Sequence, residues 1–274
     1  MSSEYRFAVL GLGGIGSAAL YRLARRAPGE VIGFERFELG HHRGASEDHS
    51  RIIRRSYHTP GYVRLAAGAY RAWEEVEAES GQELVVRTGG LDLWPEGAAI
   101  PMKDYAGSMR AEGVAFEELA VGDVMRRWPQ WKLDDGTRAV FQEDGGLVSA
   151  ARANVVHREL AAAHGAELRN RCSITAIRDA EGELELEAGG ERYRVEYLVV
   201  AADAWTNEVL AMLKAKPLPL TITKEQAAYP DAPSDSTFDP QRFPVWIWMD
   251  DPSFYGLPTF GEDGPKVAQD VGGR

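Results

Sequence analysis

The stretch Phe7-Ala-Val-Leu-Gly-Leu-Gly-Gly-Ile-Gly-Ser-Ala-Ala-Leu20, together with Val31-Ile-Gly-Phe-Glu35, decides the fold of this chain. A short apolar run, Phe7 to Leu10, reads as a buried strand. Gly11-x-Gly13-x-x-Gly16 follows, then a helical pattern with apolar Ile15, Ala18, Ala19, Leu20, Leu23 and Ala24. A second apolar run ends in an acid nineteen residues beyond Gly16. Strand, glycine turn, helix, strand and acid make the dinucleotide-binding βαβ unit. Gly11 lets the chain turn off the strand, Gly13 lets backbone approach a pyrophosphate, and Gly16 lets helix and strand pack closely. The helix start offers free N–H groups and partial positive charge to the phosphates. Glu35 stands where a ribose hydroxyl is bound and would repel a 2′-phosphate, which disfavours NADP. On this motif alone FAD and NAD both remain open.

The remaining chain sets the context. Its 274 residues are 44% hydrophobic and 27% charged, ordinary globular composition, and the length fits one large or two modest domains. The net charge of −11 argues against nucleic acid or an anionic membrane surface as partner. The single cysteine, Cys172, excludes an internal disulfide. There is no secretory leader and no apolar run approaching the roughly 20 residues of a membrane span, so the reading is a soluble cytoplasmic protein. Adjacent His41 and His42 lack further ligand spacing, and no metal site is expected.

From Arg36 to Tyr57 the pattern is irregular and dense in His, Arg, Gly and Ser, a long loop leaving the ligand-binding end of the sheet. A helix is predicted from Pro60 to Glu79, ended by Gly81. Strand segments are predicted around Gly89-Gly90, helices over Lys103–Glu112 and Leu119–Pro129, and a strand over Ala139–Gln142. A helix after Ser149, a meander from Leu168 to Val195 and a strand at Leu198–Ala202 restore the first style. Leu218–Tyr229 alternates like a long strand, and Val245–Met249, Phe254–Leu257 and Lys266–Val271 read as short ones. The expected fold class is α/β: a Rossmann-type domain, residues 1–85 and 147–215, interleaved with an antiparallel-sheet α+β substrate domain, residues 86–146 and 216–274.

Several segments together resemble the FAD-dependent amine oxidases of the monomeric sarcosine oxidase and N-methyltryptophan oxidase group, within the D-amino-acid-oxidase-like superfamily. They are Gly11–Gly16, Glu38-Leu-Gly-His-His-Arg-Gly-Ala-Ser46, Ser50-Arg-Ile-Ile-Arg54, Val199-Val-Ala-Ala-Asp-Ala-Trp205, Phe254-Tyr-Gly-Leu-Pro258 and Gly264-Pro-Lys-Val267. The resemblance implies FAD, and oxidation by O2 of a small secondary or N-methylated amino acid to an imine with release of H2O2. It implies that Gly11, Gly13, Gly14, Ile15, Gly16, Glu35, Arg36, His42, Ser46, Ser50 and Arg51 hold the cofactor. Arg51 matches the arginine set against the flavin ring, and Arg54 the one that grips the substrate carboxylate through its planar fork of donors. Lys266 matches the lysine that promotes reaction with oxygen, and Tyr255 the active-site tyrosine. Three positions depart from the family pattern: Glu47 where histidine or a neutral polar residue is common, Asp270 where histidine is, and Asp203 where glycine is. The family also continues beyond the point where this chain stops, with the cysteine that attaches flavin covalently. The expectation is therefore a truncated chain with non-covalent FAD and self-association through an unfinished sheet. The other readings are a nicotinamide-dependent dehydrogenase and a non-catalytic nucleotide-binding fragment.

Overall fold

A computed structural model describes residues 3–232, 237–262 and 264–270. Contacts divide the chain into two compact units, Met1–Asp48 with Ala150–Ile222, and His49–Ser149 with Thr223–Arg274.

The first unit is built on strand β1 (Ser3–Leu10), helix α1 (Gly14–Arg26) and strand β2 (Val31–Phe34). β1 pairs in parallel with β2, Phe7 against Val31 and Leu10 against Phe34. On its other side β1 pairs in parallel with the strand Glu191–Val200, and β2 pairs in parallel with Glu167–Arg169. Two antiparallel strands, Ile174–Ala180 and Glu183–Ala188, complete a sheet of six. Ala8, Val9, Val31 and Ile32 have no exposed surface, as strands covered on both faces require. One face carries α1 beside the helix Ala150–Ala163, where buried Tyr21 stacks on His157. Under the other, Leu10, Phe34, Leu186, Tyr193 and Val209 form a continuous core.

Among the described residues the second unit holds a sheet of seven strands and one of three. The larger joins Gly90–Trp94, Arg138–Gln142, Glu117–Ala120, Val245–Trp248, Phe254–Leu257, Lys266–Gln269 and the two-residue strand Ala227–Ala228. The smaller joins Ser50–Ile53, Gly146–Ser149 and Val85–Arg87. The helix Pro60–Ser80 begins with proline in its first turn and ends at left-handed Gly81, with φ of 68°, as its termini predict.

Four expectations change. The boundary between units falls at residue 48 rather than 85, because Ile52 and Leu147 of the three-stranded sheet pack in one core with Val245 and Leu257. The larger sheet is mixed, since Val245–Trp248 runs parallel to Gly90–Trp94. The predicted helix over Leu119–Pro129 covers only Val121–Arg127, because Leu119 and Ala120 belong to an edge strand opposite Ala139 and Arg138. The predicted strand Leu218–Tyr229 shrinks to Ala227–Ala228, because a strand needs a ladder partner and the segment before it is exposed, with Leu218 held by the side chain of Asn207. Val271, at the end of the last predicted strand, lies outside the described residues.

Candidate functional site

The sequence-predicted residues fall into two sets, one in each unit. In the first unit the glycine turn sits between β1 and α1. A Cβ at Gly16 would stand 1.7 Å from the carbonyl oxygen of Gly11, so only glycine lets the helix start this close to the strand. A Cβ at Gly13 would stand 2.6 Å from the Ser46 hydroxyl. That hydroxyl accepts the N–H of Gly14 at 2.8 Å, the first of the helix donors. The N–H groups of Ile15 and Gly16 share the same first turn, where no intrahelical carbonyl can reach them. Ile15 is 79% exposed, so this end of the helix is open.

Glu35 is buried at the end of β2. Its Oε2 accepts the Leu12 N–H at 2.9 Å and its Oε1 the Phe37 N–H at 2.9 Å, while His41 Nε2 lies 3.4 Å from Oε1. The acid therefore ties the glycine turn to the second strand, and its remaining lone pairs can accept hydroxyls. Arg36 pairs with Glu208 at 2.9 Å and lies over the Phe37 ring. The His42 ring is 87% exposed, its Nδ1 3.6 Å from Glu47 Oε1. Two residues the sequence reading missed complete the region. Asn154 donates to the Ser46 carbonyl at 3.4 Å and Arg158 to the Leu12 carbonyl at 3.2 Å. Burial pulls the Arg158 guanidinium below its ordinary pKa, with Glu35 opposing the shift. The available signal was their spacing of four on one helix, which puts them on one face.

In the second unit, Ser50 is 2% exposed and its carbonyl is a junction. It accepts Arg51 Nη1 at 2.8 Å and, at a longer 3.5 Å, Lys266 Nζ. Lys266 is itself buried, 3% exposed, with its ammonium 5.7 Å from the centre of the Tyr255 ring. Two expected residues, Arg51 and Lys266, thus meet at one buried backbone oxygen, and a third, Tyr255, lies beside the ammonium. A buried ammonium is costly and is rarely kept for packing alone.

Arg54 has a partner that the sequence reading missed. Its Nη1 lies 3.2 Å from Oδ1 of Asp92, and it stacks over Tyr57. Asp92 is 4% exposed, set between Leu91 and Leu93, which have no exposed surface at all. Burial drives its carboxyl pKa upward, with the Arg54 charge opposing. A cavity of about 10 Å³ is lined by Arg54, Ser56, Asp92 and Gln142 among apolar walls, room for about one water. Among the described residues, Asp92 Oδ2, Ser56 Oγ and Gln142 Nε2 are buried there with no hydrogen-bond partner.

The model of the FAD dependent oxidoreductase family, DAO, matches residues 6–267. The chain belongs to this family. It is 32% identical over 280 residues to the monomeric sarcosine oxidase of Streptomyces avermitilis, spanning 99% of this chain and 70% of that one. To the N-methyl-L-tryptophan oxidase of Salmonella arizonae it is 25% identical, across 99% of this chain and 72% of that one. The L-proline dehydrogenase of P. horikoshii superposes with a TM-score of 0.83 at 20% identity, over 99% of this chain and 71% of that one. The dinucleotide reading thereby narrows from FAD or NAD to FAD, and the glycine turn, open helix start and Glu35 fit the ADP half of that cofactor. Among the described residues no helix is long and apolar enough to cross a membrane.

Proposed function

We propose that this chain, with FAD bound, oxidises the C–N bond of a small secondary or N-methylated amino acid with O2, giving an imine and H2O2. The observation that supports it best is the meeting of Arg51 and Lys266 at the Ser50 carbonyl, with Tyr255 beside the ammonium. Bound FAD supplies the acceptor for the electron pair of the C–H bond next to nitrogen. Around it, Gly14, Ile15 and Gly16 would offer N–H groups to the pyrophosphate and Glu35 would accept ribose hydroxyls. Arg51 and Lys266 would hold positive charge where negative charge gathers as electrons pass to oxygen. Arg54 would hold the substrate carboxylate, leaving the amine to be presented.

Cofactor attachment in this reading is non-covalent. Cys172 is half-buried, its sulfur would lie 3.4 Å from a Cβ placed at Gly189, and burial raises its thiol pKa. These features keep it from acting as a ready thiolate. The reading also includes self-association, because Leu218, Leu220 and Ile222 are 49%, 45% and 59% exposed in succession.

The purified protein should be yellow, release its flavin to the supernatant on acid precipitation, and produce peroxide from sarcosine. A yellow protein that makes no peroxide with any N-methylated amino acid would overturn the substrate class. Flavin kept in the acid pellet would overturn the mode of attachment.

A further inference from the structure

The loop from His41 to Glu47 carries Ser46 to the helix start, yet from His42 to Glu47 it is exposed at every residue. With so little packing, its position rests on a handful of hydrogen bonds. At its far side stands Asp203, a residue where the resemblance expects glycine. Its φ of +48° places it in the left-handed region that glycine fills at no cost and aspartate tolerates better than most residues. The carboxylate is put to use. Oδ2 accepts the Ala45 N–H at 2.6 Å. A Cβ at Gly44 would come within 2.7 Å of the same oxygen, and Gly44 itself has φ of +83°. The turn that bears Asp203 is fixed in its own right: Thr206 Oγ1 donates to the Asp203 carbonyl at 2.8 Å, and the Trp205 ring meets Phe37 edge-on. The chain of contacts runs from Asp203 to Ala45, then through Ser46 to the Gly14 N–H, with Asn154 holding the Ser46 carbonyl.

We propose that Asp203 is a positioning residue for cofactor binding: it clamps the Ala45 N–H and so seats Ser46 against the first turn of α1, where the FAD pyrophosphate is bound. A hydroxyl in that place both satisfies the Gly14 donor before the cofactor arrives and stands ready to donate to a phosphate oxygen. The left-handed aspartate trades a little local backbone comfort for a pre-set phosphate loop. That trade separates a clamp from a merely structural contact. Replacing Asp203 by glycine relieves the backbone and removes the clamp together. Replacing it by asparagine keeps both an acceptor oxygen and tolerance of positive φ.

The inference rests on FAD as the cofactor, and its test reads two quantities besides activity. The apoprotein is titrated with FAD, following quenching of flavin fluorescence, and amide-proton exchange is followed at Ala45. Asp203→Gly should weaken FAD binding about tenfold while its melting temperature stays level or rises, and the Ala45 amide should exchange faster. Asp203→Asn should remain within about threefold of wild type in affinity and keep the amide slow. Unchanged affinity in Asp203→Gly, or equal Ala45 exchange in all three proteins, would overturn the proposal. So would a parallel fall in melting temperature and affinity. If Asp203→Gly cannot be isolated folded, Asp203→Ser, whose shorter hydroxyl cannot span to Ala45, takes its place, read by FAD affinity and Ala45 exchange alone with the same expected outcome for both. A wild-type protein that binds no FAD while its Ala45 amide is slow would refute the cofactor assignment and leave the clamp standing.

Discussion

The two units build their candidate site residues from different materials. In the first they are mainly backbone: N–H groups at a helix start, glycines that let chains approach, and one acid that fastens a turn. In the second they are side chains: Arg51 and Lys266 on one carbonyl, and Arg54 on a buried Asp92. Backbone sites are specified over a short stretch and fail through steric collision. Side-chain sites gather residues from far apart in sequence and fail through stranded charge. Each substitution below is expected to expose one of these failures.

The largest effect should come from Gly16→Ala. Its Cβ would meet the Gly11 carbonyl at 1.7 Å, and backbone must move to admit it. We expect a loss of about 3 kcal/mol or more in urea unfolding, together with loss of FAD binding. Next is Arg54→Met, which leaves the Asp92 carboxylate in an apolar strand with no cation. A loss of about 3 kcal/mol is expected, and the double variant Arg54→Met, Asp92→Leu should recover most of it. A double variant no more stable than the single would show that the pair is not the reason Arg54 matters to the fold. Lys266→Met should cost little stability, because the site already excludes water from the ammonium. Its effect should instead appear in the reoxidation of reduced flavin by O2, slowed by about 100-fold. A wild-type reoxidation rate in that variant would remove Lys266 from the chemistry.

The smallest effect crosses the comparison, since it concerns a titratable side chain in the backbone-led unit. His157 is buried against Tyr21, and burial first, then the nearby Arg22 and Arg158, lowers its pKa to about 4. The unfolded chain holds its proton near pH 6.5, so between these values unfolding takes up a proton. Stability is full above pH 6.5 and falls as the pH drops toward 4. Going from pH 7 to 5.5 should cost about 1 kcal/mol, a slope that His157→Leu abolishes. A pH-independent melting temperature in the wild type would discard this account.

The same contrast explains which features are legible in the amino-acid sequence. β1, α1 and β2 were legible because each glycine has a local job and the acid follows at a set distance. The helix Pro60–Ser80 was legible from proline at its start and Gly81 at its end. The boundary between units was not, because the Ser50–Ile53 strand is placed by the packing of Ile52 with Leu147, Val245 and Leu257, and no local signal reports those distant partners. Leu218–Tyr229 carried an alternating pattern, which states what a strand could bury but not whether a partner is present. Arg51, Arg54, Tyr255 and Lys266 came from family resemblance. Nothing local in the sequence said that Lys266 is buried, and a lysine on a short strand ordinarily points to water. Asp92 did leave a trace, as a lone acid between two leucines in a strand, and that interruption asks for a buried cation. Asp203 left one too, as a departure from glycine. Its meaning emerged only when its φ and its bond to Ala45 were known together.

One contact also sets an order of assembly. Lys266 and the Ser50 carbonyl are separated by 216 positions. A ribosome that has made β1, α1 and β2 has already delivered the glycine turn and its acid. The buried ammonium reaches its carbonyl only when nearly all of this sequence has emerged. During synthesis, the residues proposed to hold a dinucleotide therefore precede the cation proposed to act in the reaction with oxygen. A nascent chain that captures flavin early carries it with this cation not yet in place.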